Sequence, residues 1–183
     1  MCSLMMSESS PPWSGLITGH AVAGAGPSRA TVTVALGNRA GAIAPAWLQA
    51  LVGAAVGYDT FVAMATPTMS LRPETIIVGN TVVDDATSLN LLRGPAHAGI
   101  SSALISAIAD EMIPGSVADD ALVICSAHLE MNAKSLHADL LYENFLAATT
   151  DAIDHAVHRV PSVQEVLAVR GDVHNAVFNP REF

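Results

Sequence analysis

The chain has 183 residues, 51% of them hydrophobic and only 14% charged, where an average soluble domain carries roughly 25% charged residues. With 17 acidic and 8 basic side chains the formal charge is −9, which excludes a sequence-independent grip on nucleic-acid phosphates, because that grip needs a basic patch. The apolar content excludes a disordered chain, and no uninterrupted run of ~20 apolar residues marks a membrane span.

Residues 1–14 are rich in Ser, Met and Pro without a period and read as an irregular extension; residues 15–183 read as one domain. Ala30 to Leu36 alternates Thr and Val ahead of Gly37, the two-residue period of a half-buried strand, which sets Thr31 and Thr33 on one face. Ala40 to Val52 reads as a small-residue amphipathic helix whose regular part starts near Ala44, because Pro45 suits a first turn. Thr60 to Ala65 predicts a strand, and Glu74 to Val78 another after Arg72-Pro73. Beyond Gly94-Pro95, apolar residues at Ile100, Leu104, Ile108 and Met112 recur every fourth position and predict a core-facing helix from Ala98 to Met112. Asp119-Asp120 then precedes Ala121 to Ala127, an apolar run short enough for a buried strand. Lys134 to about Val157 predicts a long helix bounded by Pro161, and Glu165 to Val169 a closing strand. The fold class is α+β.

A surface this poor in charge is expected to be covered in part by protein, so a homo-oligomer follows. Cys2 and Cys125 are too few for a disulfide framework, and the amino terminus shows neither a basic n-region nor an apolar h-region, so a cytoplasmic location is expected. Cys125, in an apolar strand, reads as a core thiol rather than a nucleophile. Gly24-Ala25-Gly26-Pro27 precedes a strand and lacks the third glycine of a dinucleotide fingerprint, so it reads as a plain turn. His128 and Glu130 fall two apart on one strand face and read as a strand-end pair. Asp151/His155 and Asp154/His158 are spaced four apart on the long helix and read as a solvated face rather than a metal site. Asp84-Asp85 and Asp119-Asp120 sit at element boundaries, where aspartate caps or turns the backbone. No metal site, and no serine or cysteine nucleophile with a partner base, emerges from spacing.

Gly94-Pro95-Ala96-His97-Ala98-Gly99, the helix to Ile113-Pro114, then Ala118-Asp119-Asp120, His128-x-Glu130 and Tyr142-Glu143 stand in an order and spacing that resembles the formaldehyde-activating enzyme family. Upstream, Gly57-Tyr58, the Pro67 to Pro73 spacing and Thr75 keep the same register back to Gly37, so the resemblance spans roughly residues 17–170. It implies a two-layer sandwich like domain two of ribosomal small-subunit protein five, assembled as a homopentamer with active sites between subunits. It also implies a carbon–nitrogen-bond-forming lyase of one-carbon metabolism and formaldehyde detoxification. In that reaction formaldehyde condenses with tetrahydromethanopterin, the pterin co-substrate, to give the 5,10-methylene derivative and water, without metal or tightly bound cofactor. The carbinolamine intermediate must lose hydroxide, so a general acid is the natural catalyst, and histidine suits that task near neutral pH.

The resemblance places the family's proton-donating histidine on Thr31 and its aspartate on Thr33. The pocket leucine falls on Val62, the pterin-contacting lysine on Asn80, a threonine on Val82 and a glutamine on His97. None of the six retains the family residue, and a threonine hydroxyl hydrogen-bonds but does not serve as an acid near pH 7. Altered or lost activity is therefore expected. Either His97 supplies the proton from the Gly94-Pro95 turn, or His20, ahead of the first predicted strand, does so; the alternative is a non-catalytic oligomer binding a pterin or another small metabolite. His97 also reads as a locally bonded helix-start residue. Asn80 in place of a lysine removes a cation, which favours a less anionic or differently shaped ligand.

Overall fold

The computed structural model describes Trp13 and residues 15–53, 59–80, 86–130 and 137–173. In chain order these form β1 (Ile17–Ala23), β2 (Ala30–Asn38), α1 (Ile43–Val52), β3 (Thr60–Val62), β4 (Met64–Thr66), β5 (Met69–Ser70) and β6 (Glu74–Gly79). There follow α2 (Ala86–Leu91), a wider helical turn over Leu92–Ala96, α3 (His97–Ala109), α4 (Gly115–Ala118), β7 (Ala121–Leu129), α5 (Ala138–His158) and α6 (Val163–Ala168). Five strands make one sheet in the order β1-β2-β7-β6-β3, while β4 and β5 pair separately. Only β6 and β7 run parallel, a pairing that needs a long crossover, and the segment from α2 to α4 provides it.

Alternation along the strands sorts the residues into two layers. Val32, Val34 and Leu36 of β2 and Val123, Cys125 and Ala127 of β7 face Ile100 and Leu104 of α3 and Phe145, Ala148 and Ala152 of α5 in the main buried cluster. Each large side chain there contributes roughly 1.5–3 kcal/mol by burial, so this layer holds the domain together. On the opposite face a smaller cluster packs Ile43 and Trp47 of α1 over Ile76 and Leu122. Helix α1 covers only one end of that face; further along, Thr33 is exposed. The α+β two-layer arrangement is thus as expected, and among the described residues part of one sheet face is left free.

Two close approaches position that free face. The β1–β2 turn holds Gly24 and Gly26 at φ of 77° and 57°, where glycine alone is unstrained, so the Gly24–Pro27 stretch is the plain turn expected. Gly19 lets α5 lie directly on β1: a Cβ there would stand 1.9 Å from the Ala152 carbonyl oxygen and 2.6 Å from the Ala156 nitrogen. The imidazole of His155 then donates from Nδ1 to the His20 carbonyl at 2.7 Å, occupying a backbone acceptor on the outer edge of the sheet.

Three expectations need correction. Glu165 to Val169 is not a strand; Val163–Ala168 is helical, because Ser162 accepts from the Glu165 amide at 3.3 Å while the Glu165 carboxylate accepts from the Ser162 amide at 2.6 Å. That reciprocal cap outweighs the β preference of the valines. His20 does not precede the first strand but lies within β1, whose alternation is muted because its inward positions include Gly19 and Ala21. The strand read over Thr60 to Ala65 is split at the buried Ala63 into β3 and β4. The first residues of the long helix as read, Lys134 among them, and the Asp84-Asp85 pair lie outside the described residues.

Candidate functional site

On the free face, strand register sets polar side chains side by side. His20 of β1 is opposite Thr33 of β2, which is opposite Ser126 of β7; one step along, Thr31 is opposite His128. Directly opposed residues share a face with Cβ atoms about 5 Å apart. His20 Nδ1 lies 3.0 Å from the Thr33 hydroxyl. His128 donates from Nδ1 to the Asn80 carbonyl at 2.8 Å, which ties β7 to the end of β6. Beyond it Glu130 pairs with Arg29 across the strand ends. Thr31, Thr33, His20 and His128 therefore form one polar band, with Asn80 at its far edge, three strands across and two residues along from His20.

Beside His20 a cleft of about 480 Å³ opens over the edge of β1, lined by Thr18, His20, Thr33, Arg159, Val160 and Pro161 among others. The Thr33 hydroxyl both donates and accepts, so it can accept from a protonated His20 ring and donate to a neutral one. A carboxylate in its place would accept only, from the Nδ1–H of either ring form, and would favour the charged one. The pair can thus keep one ring orientation in either protonation state.

His97 stands elsewhere within the chain. It opens α3, on the helical face of the sheet, and its Nε2 accepts from the Met64 amide at 2.9 Å while Nδ1 donates to the Arg93 carbonyl at 3.3 Å. Burial pushes its pKa below the usual histidine value, against the raising effect of that carbonyl. The ring meets Phe61 edge-on with centroids 5.4 Å apart. Arg93 lies 5.2 Å over the Phe61 ring and is held by two 2.7 Å bonds to Asp59. A second cavity, about 440 Å³, opens here between β4 and α3, lined by Thr66, Arg93, His97, Ser101 and Ile105 among others. A neutral ring with both nitrogens engaged pins α3 to β4.

Of the six mapped positions, one chain brings Thr31 and Thr33 together, sets Asn80 at the end of the same face and places Val62 opposite Ile76 at the end covered by α1. It does not bring His97 to them, and Val82 lies outside the described residues. Cys125 is fully buried, and its thiol is pushed up to about 12 by desolvation, as its core assignment requires. Asp154 and His158 pair at 3.0 Å on the exposed side of α5, and no group of three metal-binding side chains occurs among the described residues. No helix among them is long and apolar enough to cross a membrane. Sequence reasoning did not single out Arg159; the signal available was a non-glycine residue just ahead of the Val160-Pro161 break, where a helix that long must end.

The fold and this face define a class: an α+β sandwich with a cleft at a sheet edge and a histidine in contact with a threonine hydroxyl beside it. Compared with known families, residues 18–178 match the one described as formaldehyde-activating enzyme (Fae), and the chain belongs to that family. It is 30% identical over 159 residues to a 5,6,7,8-tetrahydromethanopterin hydro-lyase of Methanosarcina barkeri, covering 87% of this chain and 88% of that one. It is 31% identical over 149 residues to a bifunctional enzyme Fae/Hps of Archaeoglobus fulgidus, covering 81% of this chain but 37% of that longer protein. A bifunctional enzyme Fae/Hps of Methanosphaera stadtmanae is 27% identical over 150 residues, 82% of this chain and 36% of its own length.

Proposed function

We propose that the protein condenses formaldehyde with a reduced pterin of the tetrahydromethanopterin type, giving the methylene derivative and water, with His20 as the proton donor. The observation that carries this is the 3.0 Å contact of His20 Nδ1 with Thr33 at a cleft, on the face where the family resemblance puts an acid and its carboxylate partner. The acid has moved from β2 to β1, one strand across.

The steps balance on one proton carrier. A pterin amine adds to the formaldehyde carbon, and the resulting carbinolamine carries a hydroxyl that leaves poorly as hydroxide. Protonated His20 gives its proton to that oxygen, the carbon–oxygen bond breaks, and water departs to leave an iminium. The second pterin amine closes the ring on that carbon, and its proton returns to neutral His20. General acid catalysis of this kind contributes roughly 10²–10⁴-fold. Thr31, beside His128, offers a hydroxyl to hydrogen-bond the reacting oxygen.

The proposed working form is a homopentamer. Its support is apolar surface without cover in one chain: Val52 at 81% and Val163 at 70% exposure, with Leu48, Leu51, Val166 and Leu167 beside them. Light scattering in solution tests this, and a stable monomer would contradict it. The reaction is tested by mixing the protein with formaldehyde and tetrahydromethanopterin and comparing the rate with the spontaneous one. Acceleration supports the proposal. A pterin-dependent rise in melting temperature without acceleration would instead favour the non-catalytic binder.

A further inference from the structure

We propose that Arg159 binds an acidic group on the side chain of the reduced pterin, so that the cleft at the β1 edge selects pterins carrying a carboxylate or a phosphate. The inference rests on the pterin reading above and adds a specificity residue to it. Asn80 leaves the β6 end of the face without the lysine that the family resemblance puts there. The cation instead stands at the opposite edge of the sheet.

Three observations place it. First, Arg29, Arg39, Arg72 and Arg93 are each held by a carboxylate, whereas Arg159 has no ion pair among the described residues. Second, Arg159 lines the same 480 Å³ cleft as His20 and Thr33, and among the described residues of that lining it alone carries a fixed charge. A fixed cation with no acid in the described lining favours an anionic ligand in this cleft, in a chain of net charge −9. Third, Arg159 ends α5 at φ 56° and ψ 46°, the left-handed conformation that glycine occupies at little cost and other residues occupy with strain. The turn itself does not need an arginine side chain at this position. The close packing of α5 on Gly19 and the His155 bond to the His20 carbonyl then fix the end of α5 against β1, which sets Arg159 and His20 on one cleft. A guanidinium meets carboxylate and phosphate oxygens through paired, charge-assisted hydrogen bonds.

The test uses the full-length wild type, Arg159→Gly and Arg159→Lys, because glycine relieves the left-handed strain and preserves the fold. Dissociation constants are measured anaerobically for tetrahydromethanopterin, tetrahydrofolate and the dimethyl ester of tetrahydrofolate. The expected result is that Arg159→Gly weakens the two acids about tenfold and leaves the ester unchanged, with Arg159→Lys recovering part of the loss. Added salt weakens the acids in the wild type more than in Arg159→Gly. A loss confined to tetrahydromethanopterin assigns the phosphate, and an equal loss for tetrahydrofolate assigns a carboxylate. Equal weakening of acids and ester, no weakening, or no binding of any of the three overturns the proposal. If condensation is accelerated but Arg159→Gly binds the acids like wild type, this inference fails and the reaction stands. If acid binding depends on Arg159 while condensation runs at the spontaneous rate, the reaction fails and this inference stands.

Discussion

Gly19→Ala probes whether the packing of α5 on β1 builds the cleft. The added methyl would stand 1.9 Å from the Ala152 carbonyl oxygen, where ordinary contact begins at 3.4 Å, so the helix must retreat by about 1.5 Å in an interior that has no slack. Both close atoms belong to backbone, and no side-chain rotation relieves them. Overpacking of this kind costs about 1–3 kcal/mol. The same retreat stretches the 2.7 Å bond from His155 to the His20 carbonyl beyond bonding range, losing about 1 kcal/mol more. A total near 3 kcal/mol corresponds to a fall in melting temperature of roughly 10 °C for a domain of this size. Differential scanning calorimetry of the variant against wild type measures it, with pterin-dependent stabilisation as a second readout that falls because the cleft is rebuilt. A melting temperature within about 2 °C of wild type would refute the reasoning, since the helix would then have room to spare.

Other outcomes follow from single contacts. Thr33→Val removes the partner that orients His20, and kcat falls about tenfold with KM little changed, while Thr33→Ser retains most of the rate. His97 has a pKa lowered by burial, so the stability its neutral form contributes is complete above the ordinary histidine value of about 6.5 and is lost as pH falls through the lower folded value. His97→Gln keeps an acceptor for the Met64 amide without a titrating ring, and urea midpoints between pH 7 and 5 fall less steeply in it than in wild type; equal slopes would contradict this. In a Cys2→Ser background, Cys125, with its thiol near 12, resists iodoacetamide until denaturant is added, and alkylation of the native protein would show that strand β7 opens. The Thr149 hydroxyl is fully buried and has no hydrogen-bond partner among the described residues, so Thr149→Val raises stability by about 1 kcal/mol in a denaturant titration.

Most of the core was legible because its elements obey one period from end to end. The Thr and Val alternation of β2 and the four-residue apolar stripe of α3 each commit a face over two turns or more, and tertiary packing only confirms them. Helix α6 was not legible as a helix because its valines argue for a strand, while the decision rests on one reciprocal cap between Ser162 and Glu165. Strand β1 was missed for the opposite reason: its inward residues include Gly19, chosen for helix approach rather than hydrophobicity. The site was legible in part. Thr31 and Thr33 share a face as their spacing requires, whereas the pairing of His20 with Thr33 depends on a register across a hairpin turn. The place of Arg159 depends on where a helix ends against that hairpin, and no local pattern encodes either.

The most direct test of the proposed proton donor is the initial rate of condensation of formaldehyde with tetrahydromethanopterin, measured for wild type, His20→Ala and His97→Gln at saturating pterin. The account predicts acceleration by wild type, a fall of about 100-fold or more in His20→Ala that exogenous imidazole partly restores, and a His97→Gln rate within about threefold of wild type. An unchanged rate in His20→Ala, or a collapse in His97→Gln alone, would contradict it.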